Sequence, residues 1–589
     1  MEQLKKEMKG GRFLVEGITA EDLFTPEDIS DEQVMIGQTA KQFIEKEVLP
    51  MRGEIESQNF EVTVNLLKKA GELGLLAHSI PEKYGGLGLD KISKGIVGEM
   101  VGQSSSYGVA QSNHTCIATL PITYFGSDAQ KEKYLPKLAS GEFLGAYCLT
   151  EPASGSDALA AKTTAVLNEE GTHYLLNGTK LYITNAVFSD TFIVYAKVDG
   201  DQFTAFIVEK DFPGLSLGPE ENKMGIKGSS TCSVILEDCQ VPVENVLGII
   251  GKGHVIALNV LNLGRFNLGF ACMGGAKGAL ELAIQHTNER KQFKRRISEF
   301  GATKEKVAQM AARIYAAEAV QYRTASLLEE ALGDLEDSKD LSLVGKRMME
   351  YALECAICKV YGSETLDFIV DESLQLHGGA GFIKEYPIEQ AYRDSRINRI
   401  FEGTNEINRL LIPGIFFRKG AKGELPIQEA IEGAIARLQE NQLNSKDGRL
   451  GQEQEVVEGI RTAYLALAGL TFKQFGMNLE NEQETLMKLA DIAIELFASE
   501  SAVLRAVKSN QESVNTIPDL LATAVVESSL MKVKVMTDQL LAGFDMTPEV
   551  EGLRNLLNKQ LHGHLFSNRT NRNRFIAESL NETGQYICS

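Results

Sequence analysis

The chain of 589 residues has no tryptophan, only 14 prolines against 54 glycines, and eight scattered cysteines. Apolar residues make up 43% and charged residues 24% of the chain, which is a globular composition and excludes a disordered or fibrous protein. Scattered cysteines in a long chain favour reduced thiols over a disulfide framework. Cys355 and Cys358 share one apolar face of a predicted helix, so we expect them to pack in a core rather than to bind metal.

Signals for export, for a membrane and for nucleic acid are also missing. The N-terminal stretch MEQLKKEMKGGRFL has neither the apolar core of a signal peptide nor the Arg-rich, acid-poor composition of a transit peptide. No run approaches the ~20 apolar residues of a spanning helix, so we expect a cytoplasmic protein without an integral membrane segment. A net charge of -20 without a long Lys/Arg block argues against a nucleic-acid partner.

Common nucleotide, metal and nucleophile fingerprints are absent as well. The sequence contains neither the G-x-x-x-x-G-K-S/T pattern of a P-loop nor a G-x-G-x-x-G that follows a strand and opens a helix. It lacks H-E-x-x-H, G-x-S-x-G and a catalytic cysteine signature. We therefore expect no metal site, no P-loop and no Rossmann module.

The length predicts two to four domains, and the sequence pattern changes at three points. Residues 1–145 show helical apolar spacing, residues 146–250 show β-branched and aromatic runs typical of a mostly antiparallel β domain, and residues 251–420 and 421–589 are helical again. Within the β domain, Asn177-Gly178 predicts a hairpin turn between two short strands. The charged stretch 418–426 predicts a linker, after which amphipathic helices are expected over 427–442, 453–475, 482–510 and 514–542.

Three stretches carry residues suited to a ligand or to chemistry, and each also has a structural explanation. YCLTEPASGSD at 147–157 offers hydroxyls and backbone N–H groups, or is a polar turn between domains. QLHGGAGF at 375–382 lets a ligand approach the backbone, or ends a helix with glycine. In NRIFEGTNEINR at 398–409, Glu402 is either a general base or a salt-bridged structural carboxylate.

Together and in this order, these stretches resemble the acyl-CoA dehydrogenase family, flavoproteins that oxidise the Cα–Cβ bond of a fatty acyl-CoA thioester. The resemblance covers residues 30 to 415 and rests on IPEKYGGLGL, YCLTEPASGSD, NGTKLYITNA, ENKMGIKGSSTCSVILEDCQVPVENVLG, ERKQF, QLHGGAGF, EYPIEQAYRDSRI and RIFEGTNEI. The length, KYLPKLASGE, NLGRF and the added helical region are most similar to the very-long-chain branch. The implied fold is α+β, mainly α: an N-terminal helical domain, a middle β-barrel or sandwich domain, a C-terminal four-helix bundle and an extra C-terminal helical domain.

The resemblance implies FAD as the cofactor, bound between the β domain and the four-helix bundle. Thr150 would hydrogen-bond the flavin ring, and Tyr182 to Thr184 would cover its other side with Thr184 near N5. The residues assigned to FAD are Tyr147, Leu149, Thr150, Gly155, Ser156, Tyr182, Thr184, Arg290, Phe293, Gln375, Gly378, Gly379, Thr404 and Glu406. Gln375, Gly378 and Gly379 would reach the FAD of a neighbouring subunit, which implies a homodimer or a higher homo-oligomer.

For the substrate, the resemblance assigns Ser156 and Arg265 to acyl-CoA and places Phe401 and Gly403 beside the thioester. A cation at Arg265 would let an acidic protein bind anionic CoA. Glu402 would remove the α-proton, and in the family the backbone N–H of this glutamate and a flavin ribityl hydroxyl stabilise the enolate that develops on the thioester oxygen. Closure over an apolar chain should raise the pKa of Glu402.

Three further positions bear on these assignments. Some branches of the family carry the base just before the arginine that matches Arg265, and Gly264 there leaves Glu402 as the one candidate at either position. The family usually has tryptophan where Tyr182 stands, so flavin potential or docking of the electron acceptor is expected to differ. Lys294 replaces the usual glycine of R-x-x-F-G, and FAD binding is expected to survive this change.

The expected function is oxidation of a long-chain acyl-CoA to trans-2-enoyl-CoA in β-oxidation, with electrons passed to electron-transfer flavoprotein. Chain-length preference is expected to depend on the pocket near residues 104–113. An acyl-CoA oxidase that uses oxygen and a flavin-containing assembly or binding factor remain as alternatives. The C-terminal helices either close the dimer or lie against a membrane surface. The cluster Arg569, Arg572 and Arg574 is either part of such a contact or a solvated face.

Overall fold

A computed structural model describes residues 9–335, 338–440, 448–509, 516–562, 564 and 566–588. Short 3-10 turns precede a helical N-terminal region made of α1 Asp31–Phe43, α2 Arg52–Glu56, α3 Phe60–Glu72, α4 Lys91–Gly102, α5 Ser106–Asn113, α6 Leu120–Phe125 and α7 Asp128–Ser140. A capping box between Ser30 and Gln33 starts α1. The helical path continues past α1 as a π-helical turn over Ile44–Val48 and a 3-10 turn over Leu49–Met51.

The middle region is one eight-stranded sheet. Its strands are β1 Gly145–Cys148, β2 Thr164–Leu167, β3 His173–Thr184, β4 Thr191–Val198, β5 Gln202–Glu209, β6 Leu215–Leu217, β7 Thr231–Pro242 and β8 Val246–Leu247. The order is β6-β7-β3-β2-β4-β5-β8, with β1 paired to β4. The β1–β4 and β2–β4 pairs are parallel and the other pairs are antiparallel, so the sheet is mixed.

The predicted hairpin at Asn177-Gly178 is wrong, because β3 runs without interruption through both residues. The partner strand β7 pairs with Leu176, just before Asn177, and with Gly178, just after it. The register shifts between these two pairs. The pair is therefore a β-bulge. A Cβ atom on Gly178 would lie 2.4 Å from the Thr163 hydroxyl oxygen, so glycine serves close packing here rather than a turn.

A helical bundle follows the sheet, made of α8 Gly253–Glu289, α9 Gly301–Leu332, α10 Leu341–Glu350, α11 Ala352–His377, α12 Pro387–Ser395 and α13 Asn405–Ala421. A small hairpin, β9 Lys291–Gln292 and β10 Arg295–Arg296, joins α8 to α9. Within the described ranges α8 is the one helix long and apolar enough to cross a membrane, but 67% of its apolar stretch is buried inside the protein. It is therefore the central helix of the bundle, where Cys355 and Cys358 of α11 are also buried as expected.

Six more helices lie in the described ranges after α13: α14 Ile427–Glu440, α15 Gly451–Phe475, α16 Gln483–Lys508, α17 Ile517–Leu541, α18 Pro548–His562 and α19 Arg569–Thr583. The first four match predicted helices, although the predicted ends at 442 and 510 and the start at 514 lie outside the described residues. Because α13 continues to Ala421, the linker is shorter than predicted. One hydrophobic core joins α14–α19 to α8, α9, α11 and α13, so the added helices are part of the bundle's packing.

Candidate active site

Glu402 lies in the short loop between α12 and α13. Its φ of 57° and the φ of 79° at Gly403 place two consecutive residues in the left-handed region. This conformation costs a residue with a side chain about 1–2 kcal/mol, so the surrounding contacts must hold it. Thr404 ends the loop as the N-cap of α13 and accepts a hydrogen bond from the backbone N–H of Ile407.

Three side chains from three helices hold the carbonyl groups of this loop. Arg265 of α8 donates from Nε to the Glu402 carbonyl at 3.1 Å, and Lys359 of α11 donates from Nζ to the Gly403 carbonyl at 2.8 Å. Asn408 of α13 donates from Nδ2 to the Gly403 carbonyl at 2.9 Å. The loop is thus fixed from the side of the bundle, and its strained backbone is compensated by these bonds.

The carboxyl group of Glu402 is enclosed and close to two cations. Its Oε2 atom is buried, and no described group donates a hydrogen bond to it. Burial raises the pKa of Glu402 to about 7, while Arg265 and Lys359 act in the opposite direction. Burial also lowers the pKa of Lys359 to about 8. A carboxylate with a pKa near neutrality is suited to take a proton and release it again.

Gly264 of α8 packs directly against this carboxyl group. A Cβ atom at position 264 would lie 2.9 Å from Glu402 Oε2 and 3.0 Å from its carboxyl carbon. A larger residue there would displace the Glu402 side chain. Positions 264 and 402 therefore share one space, which fits the expectation that a base stands at one of them and not at both.

A cavity of about 540 Å³ starts beside Phe401 and Glu402. Small residues of α8 form one wall: Gly264, Ala271, Gly275, Gly278 and Ala279. The predicted stretch 104–113 contributes Ser104, Ser105, Gly108, Val109, Ser112 and Asn113 to the opposite wall. Gly264 and Gly278 are separated by about 21 Å along the helix axis. The cavity is therefore long, and it reaches the surface beside the exposed residues Glu281 and Gln285.

The residues assigned to the flavin ring lie on two neighbouring segments of the β domain. The backbone N–H of Leu181 donates to the Thr150 carbonyl at 2.8 Å, which joins the loop after β1 to β3. Tyr147 and Leu149 are buried, Thr150 is half-buried, and Gly155 and Ser156 are exposed. Thr184 also lines the cavity of Glu402, so the two sites are continuous.

The side chains on these two segments fit FAD by their chemistry. Thr150, Ser156 and Thr184 supply hydroxyls for a polar ring, and Tyr182 supplies an aromatic face that is 63% exposed. Tyr182 has a φ of 59°, a left-handed conformation that is rare for an aromatic residue and typical of functional sites. Space is open around Gly155, where a Cβ atom would meet nothing within 4 Å. Glu406, also assigned to FAD, is exposed in the first turn of α13.

The remaining FAD-assigned residues lie elsewhere, at the far ends of α8 and α11. Arg290 caps α8 about 37 Å along its axis from Arg265. Stacked rings of His286 and His377, 4.2 Å apart, join the two helix ends. Five FAD-assigned residues therefore lie together at these helix ends, far from Glu402. All five are exposed: Arg290, Phe293, Gln375, Gly378 and Gly379.

Of the four residues assigned to the substrate, Phe401 lines the cavity and the other three do not. Arg265 is 6% exposed and donates hydrogen bonds to the Glu402 carbonyl and to the Asn262 side chain, so it holds the loop. Gly403 does not line the cavity, and its Cβ would point at Asn408 and Arg265. Its left-handed backbone is the reason for glycine. Ser156 is exposed outside the cavity lining, whereas Phe401 lines it.

Lys359 was not predicted as a site residue. It is fully buried on α11, one residue after Cys358. Its ammonium group donates hydrogen bonds to the Gly403 carbonyl and to the Asn405 side chain. A single lysine in the apolar run CAICKVYG was the available signal, because an unpaired buried lysine is rare. Asn408 was not predicted either, because its contact with the Gly403 carbonyl follows from the position of α13 in the structure.

Comparisons with known proteins match this architecture. Models of the acyl-CoA dehydrogenase N-terminal and middle domains match residues 30–142 and 146–239, and two C-terminal-domain models match 251–413 and 459–555. A probable acyl-CoA dehydrogenase of Bacillus subtilis (strain 168) is 53% identical over 506 residues, which are 85% of this chain and 85% of the relative. The mitochondrial very long-chain specific acyl-CoA dehydrogenase of Homo sapiens is 34% identical over 84% of this chain and 78% of its own. A crystal structure of an acyl-CoA dehydrogenase complexed with FAD from Bacillus anthracis is 47% identical, with a TM-score of 0.96 over 98% of this chain and 100% of that one.

Proposed function

Because the chain belongs to the acyl-CoA dehydrogenase family of FAD-dependent oxidoreductases, we propose that it oxidises long-chain saturated acyl-CoA to trans-2-enoyl-CoA with Glu402 as the base. The preference for a long acyl chain is inferred from the long cavity that leads from Glu402 along the small residues of α8. When bound, FAD supplies the acceptor for the hydride that leaves the β-carbon.

Proton removal falls to the carboxylate of Glu402, which takes the α-proton of the thioester. The backbone N–H of Glu402 has no acceptor among the described residues, so it is free to donate to the thioester oxygen. Arg265 and Lys359 bond the carbonyls of Glu402 and Gly403, which fixes the direction of that N–H group. A donor fixed before the reaction stabilises the enolate as it forms and needs no reorganisation.

An acyl chain in the cavity would raise the reactivity of this arrangement. The small residues of α8 leave an apolar path for the chain, and filling it removes water from beside Glu402. Less water raises the proton affinity of the carboxylate, which makes it a stronger base once it has lost its proton.

Gly278 gives the sharpest test of chain length. A Cβ atom there would meet nothing within 4 Å and would point into free space along the cavity. Gly278→Leu should fill that space, so kcat/KM for palmitoyl-CoA should fall at least about tenfold while kcat/KM for butyryl-CoA changes little. Gly433→Leu is the matched control, because Gly433 is an exposed helical glycine of α14 that also has open space. Equal losses for both acyl-CoAs, or no loss, would contradict a long-chain pocket.

Electron-transfer flavoprotein is the proposed electron acceptor, with an oxidase as the alternative. The two are separated by mixing the enzyme with palmitoyl-CoA in air, since an oxidase releases hydrogen peroxide in proportion to the product. An anaerobic titration with the same substrate bleaches the flavin of a dehydrogenase, and an unbleached flavin would indicate a binding or assembly factor.

A homodimer is proposed from the separated FAD-assigned residues. Arg290 and Gln375 lie too far from Glu402 to serve the same site in one protomer, so they would complete the site of a partner. Exposed apolar side chains beside them support an interface: Phe293 is 88%, Phe382 82% and Ile383 46% exposed. Size-exclusion chromatography with light scattering tests the dimer, and Phe382→Asp should yield monomers that lose FAD.

We also place the enzyme in the cytoplasm and in fatty acid β-oxidation. All eight cysteines fall within the described residues and all are free, which supports a reducing compartment. A peripheral membrane contact through α14–α19 stays a prediction, which co-sedimentation with anionic phospholipid vesicles tests.

A further inference from the structure

A second cavity, which we call the inter-domain cavity, lies between the bundle and the added C-terminal helices. Its volume is about 240 Å³, and α9, α11, α16, α17 and α19 line it. One wall is apolar, with Ala308, Ala312, Tyr361, Phe368 and Val525. The helix α11 separates it from the acyl cavity, because Leu366 lines the acyl cavity and Phe368 lines this one. Neither the proposed reaction nor the FAD-assigned residues use this space.

The charge of the inter-domain cavity is opposite to that of the whole chain. Four cations line it, Arg313, Lys532, Arg569 and Arg572, against two carboxylates, Glu495 and Glu527. The excess is two positive charges in a protein whose net charge is -20. Charge of this sign, enclosed by low-dielectric walls, attracts a small anion.

Both carboxylates already have hydrogen-bond or ion-pair partners, whereas some of the N–H donors on the arginine side chains do not. Glu495 accepts hydrogen bonds from Lys532 at 2.5 Å and from the Ser529 hydroxyl at 2.6 Å. Glu527 pairs with the terminal Nη2 of Arg572. Arg313 lies over the ring of Phe368 at 3.9 Å, and no described carboxylate forms an ion pair with it.

Arg572 is the group that points to a ligand. It is 7% exposed, and its Nε and Nη1 atoms are buried without a hydrogen-bond acceptor within the described parts of the chain. Unpaired buried N–H donors on a charged group are costly, so a partner for them is expected. Arg569 adds a second guanidinium at the same rim, with its nearest carboxylates 3.8 and 4.0 Å away.

The N-terminus of α19 reinforces this preference for an anion. Arg569, Arg572 and Asn573 of its first turns line the cavity. The helix has no acidic residue in its first turn, and its N-cap Asn568 makes no side-chain capping bond. The positive end of the helix dipole therefore lies beside the same cavity as the guanidinium groups.

We propose that the inter-domain cavity binds a small organic anion, with a carboxylate or phosphate on Arg572 and Arg569 and an apolar body against Phe368. A guanidinium offers two parallel N–H donors to either anion, so both share this chemistry. The bound anion bridges the bundle and α19, and it stabilises their contact. The cluster Arg569, Arg572 and Arg574 is thus divided: Arg572 is a buried ligand-binding group and Arg574 is a solvated one.

The test uses the full-length FAD-bound protein and isothermal titration at constant ionic strength. Benzoate and phenyl phosphate carry the same ring on different anions, inorganic phosphate lacks the ring, and benzyl alcohol lacks the charge. We expect saturable binding of benzoate or phenyl phosphate with a dissociation constant at or below about 1 mM, and none for benzyl alcohol. The stronger of the two anions identifies the ligand class. Absence of saturable binding by both would overturn the proposal.

Variants then locate the bound anion. Arg572→Met combined with Glu527→Gln removes the guanidinium without leaving an unpaired carboxylate, and should weaken binding at least about tenfold. Arg574→Met, an exposed change on the same helix, should leave the dissociation constant within about twofold. Unchanged binding in the double variant, or equal weakening in both, would overturn the site. If the double variant does not fold, Arg569→Met decides: weaker binding supports the site and unchanged binding rejects it.

Discussion

At the scale of single residues, Glu402 is held between two opposing influences. Burial favours the protonated form, and Arg265 and Lys359 favour the carboxylate, with burial the larger influence. Because the pKa rises to about 7 from an ordinary value near 4.5, a large fraction of the base is ionised at neutral pH and can still be reprotonated. The cations are turned toward backbone carbonyls, which leaves the carboxylate free to react.

The pH dependence of flavin reduction should report this carboxyl group. The observed rate constant with palmitoyl-CoA should rise with pH and level off above an inflection at or above 7, because the base must be deprotonated and the bound acyl chain raises its pKa further. Glu402→Gln should retain FAD and lose at least about 100-fold in rate, the lower range for general-base catalysis. Anaerobic stopped-flow measurement of flavin bleaching provides both numbers. Glu429→Gln, an exposed change on α14, is the control, and wild-type reduction rates in Glu402→Gln would disprove the role of the base.

The same substitution should change stability with a defined sign. A carboxyl group whose folded pKa is raised contributes stability below its unfolded pKa and loses it as pH rises through the folded value. Because the pKa of Glu402 rises from 4.5 to about 7 on folding, its ionisation lowers the free energy of unfolding at pH 8 by about 3 kcal/mol at most. Glu402→Gln should therefore raise the free energy of unfolding at pH 8, and the difference should vanish toward pH 4.5.

Lys359 is a positioning residue for the same reaction. Lys359→Met removes one of the two donors to the Gly403 carbonyl and the donor to the Asn405 side chain, which should destabilise the fold by about 1–3 kcal/mol. It also removes a charge that lowers the pKa of Glu402, so the inflection of the rate profile should move to a higher pH than in the wild type. Lys359→Arg keeps the charge and should leave the inflection near its wild-type position. A stability loss without a shifted inflection would reduce Lys359 to a structural role.

At the scale of secondary-structure elements, the sequence predicts long periodic helices and fails where distant strands or charges decide. The helix expected over 453–475 corresponds to α15, Gly451–Phe475. Asn177-Gly178 favours a turn locally, but hydrogen bonds to β7 on both sides keep the strand extended. The polar helices α18 and α19 were not predicted, because α19 buries only a narrow face that includes Arg572 and Ile576.

The hairpin between α8 and α9 has a two-residue turn at Phe293 and Lys294. Their φ angles of 52° and 67° match a turn that needs left-handed backbone at both positions. Lys294→Gly should relieve about 1 kcal/mol of strain, and hydrogen exchange across residues 291–296 should slow about fivefold. Lys291→Gly, in the extended strand β9, should speed exchange instead. Slower exchange in both variants, or in neither, would show that the turn is not strained.

At the scale of the whole molecule, buried ion pairs join parts of the chain that are far apart in sequence. Arg505 of α16 is fully buried and pairs with Glu318 of α9 at 2.8 Å and with Glu27 near the N-terminus at 2.6 Å. Glu318 also pairs with Lys277 of α8 at 2.5 Å and accepts the hydroxyl of Tyr586 at 2.7 Å. The N-terminal segment, the bundle and the C-terminal segment thus meet around the Arg505–Glu318 ion pair.

Arg505→Met should therefore destabilise the whole chain and not only α16. The change leaves the buried carboxylate of Glu318 with less compensation, and breaking such a buried pair costs about 3–5 kcal/mol. Lys473→Met is the comparison, because Lys473 and Glu549 form an exposed pair whose loss should cost within about 0.5 kcal/mol. Denaturant unfolding followed by both helix signal and flavin release measures the two variants. If the added helices were a separate unit, Arg505→Met would lower the helix transition while flavin release stayed at the wild-type midpoint. We expect both transitions to move together, because the core that holds α8 also holds α16.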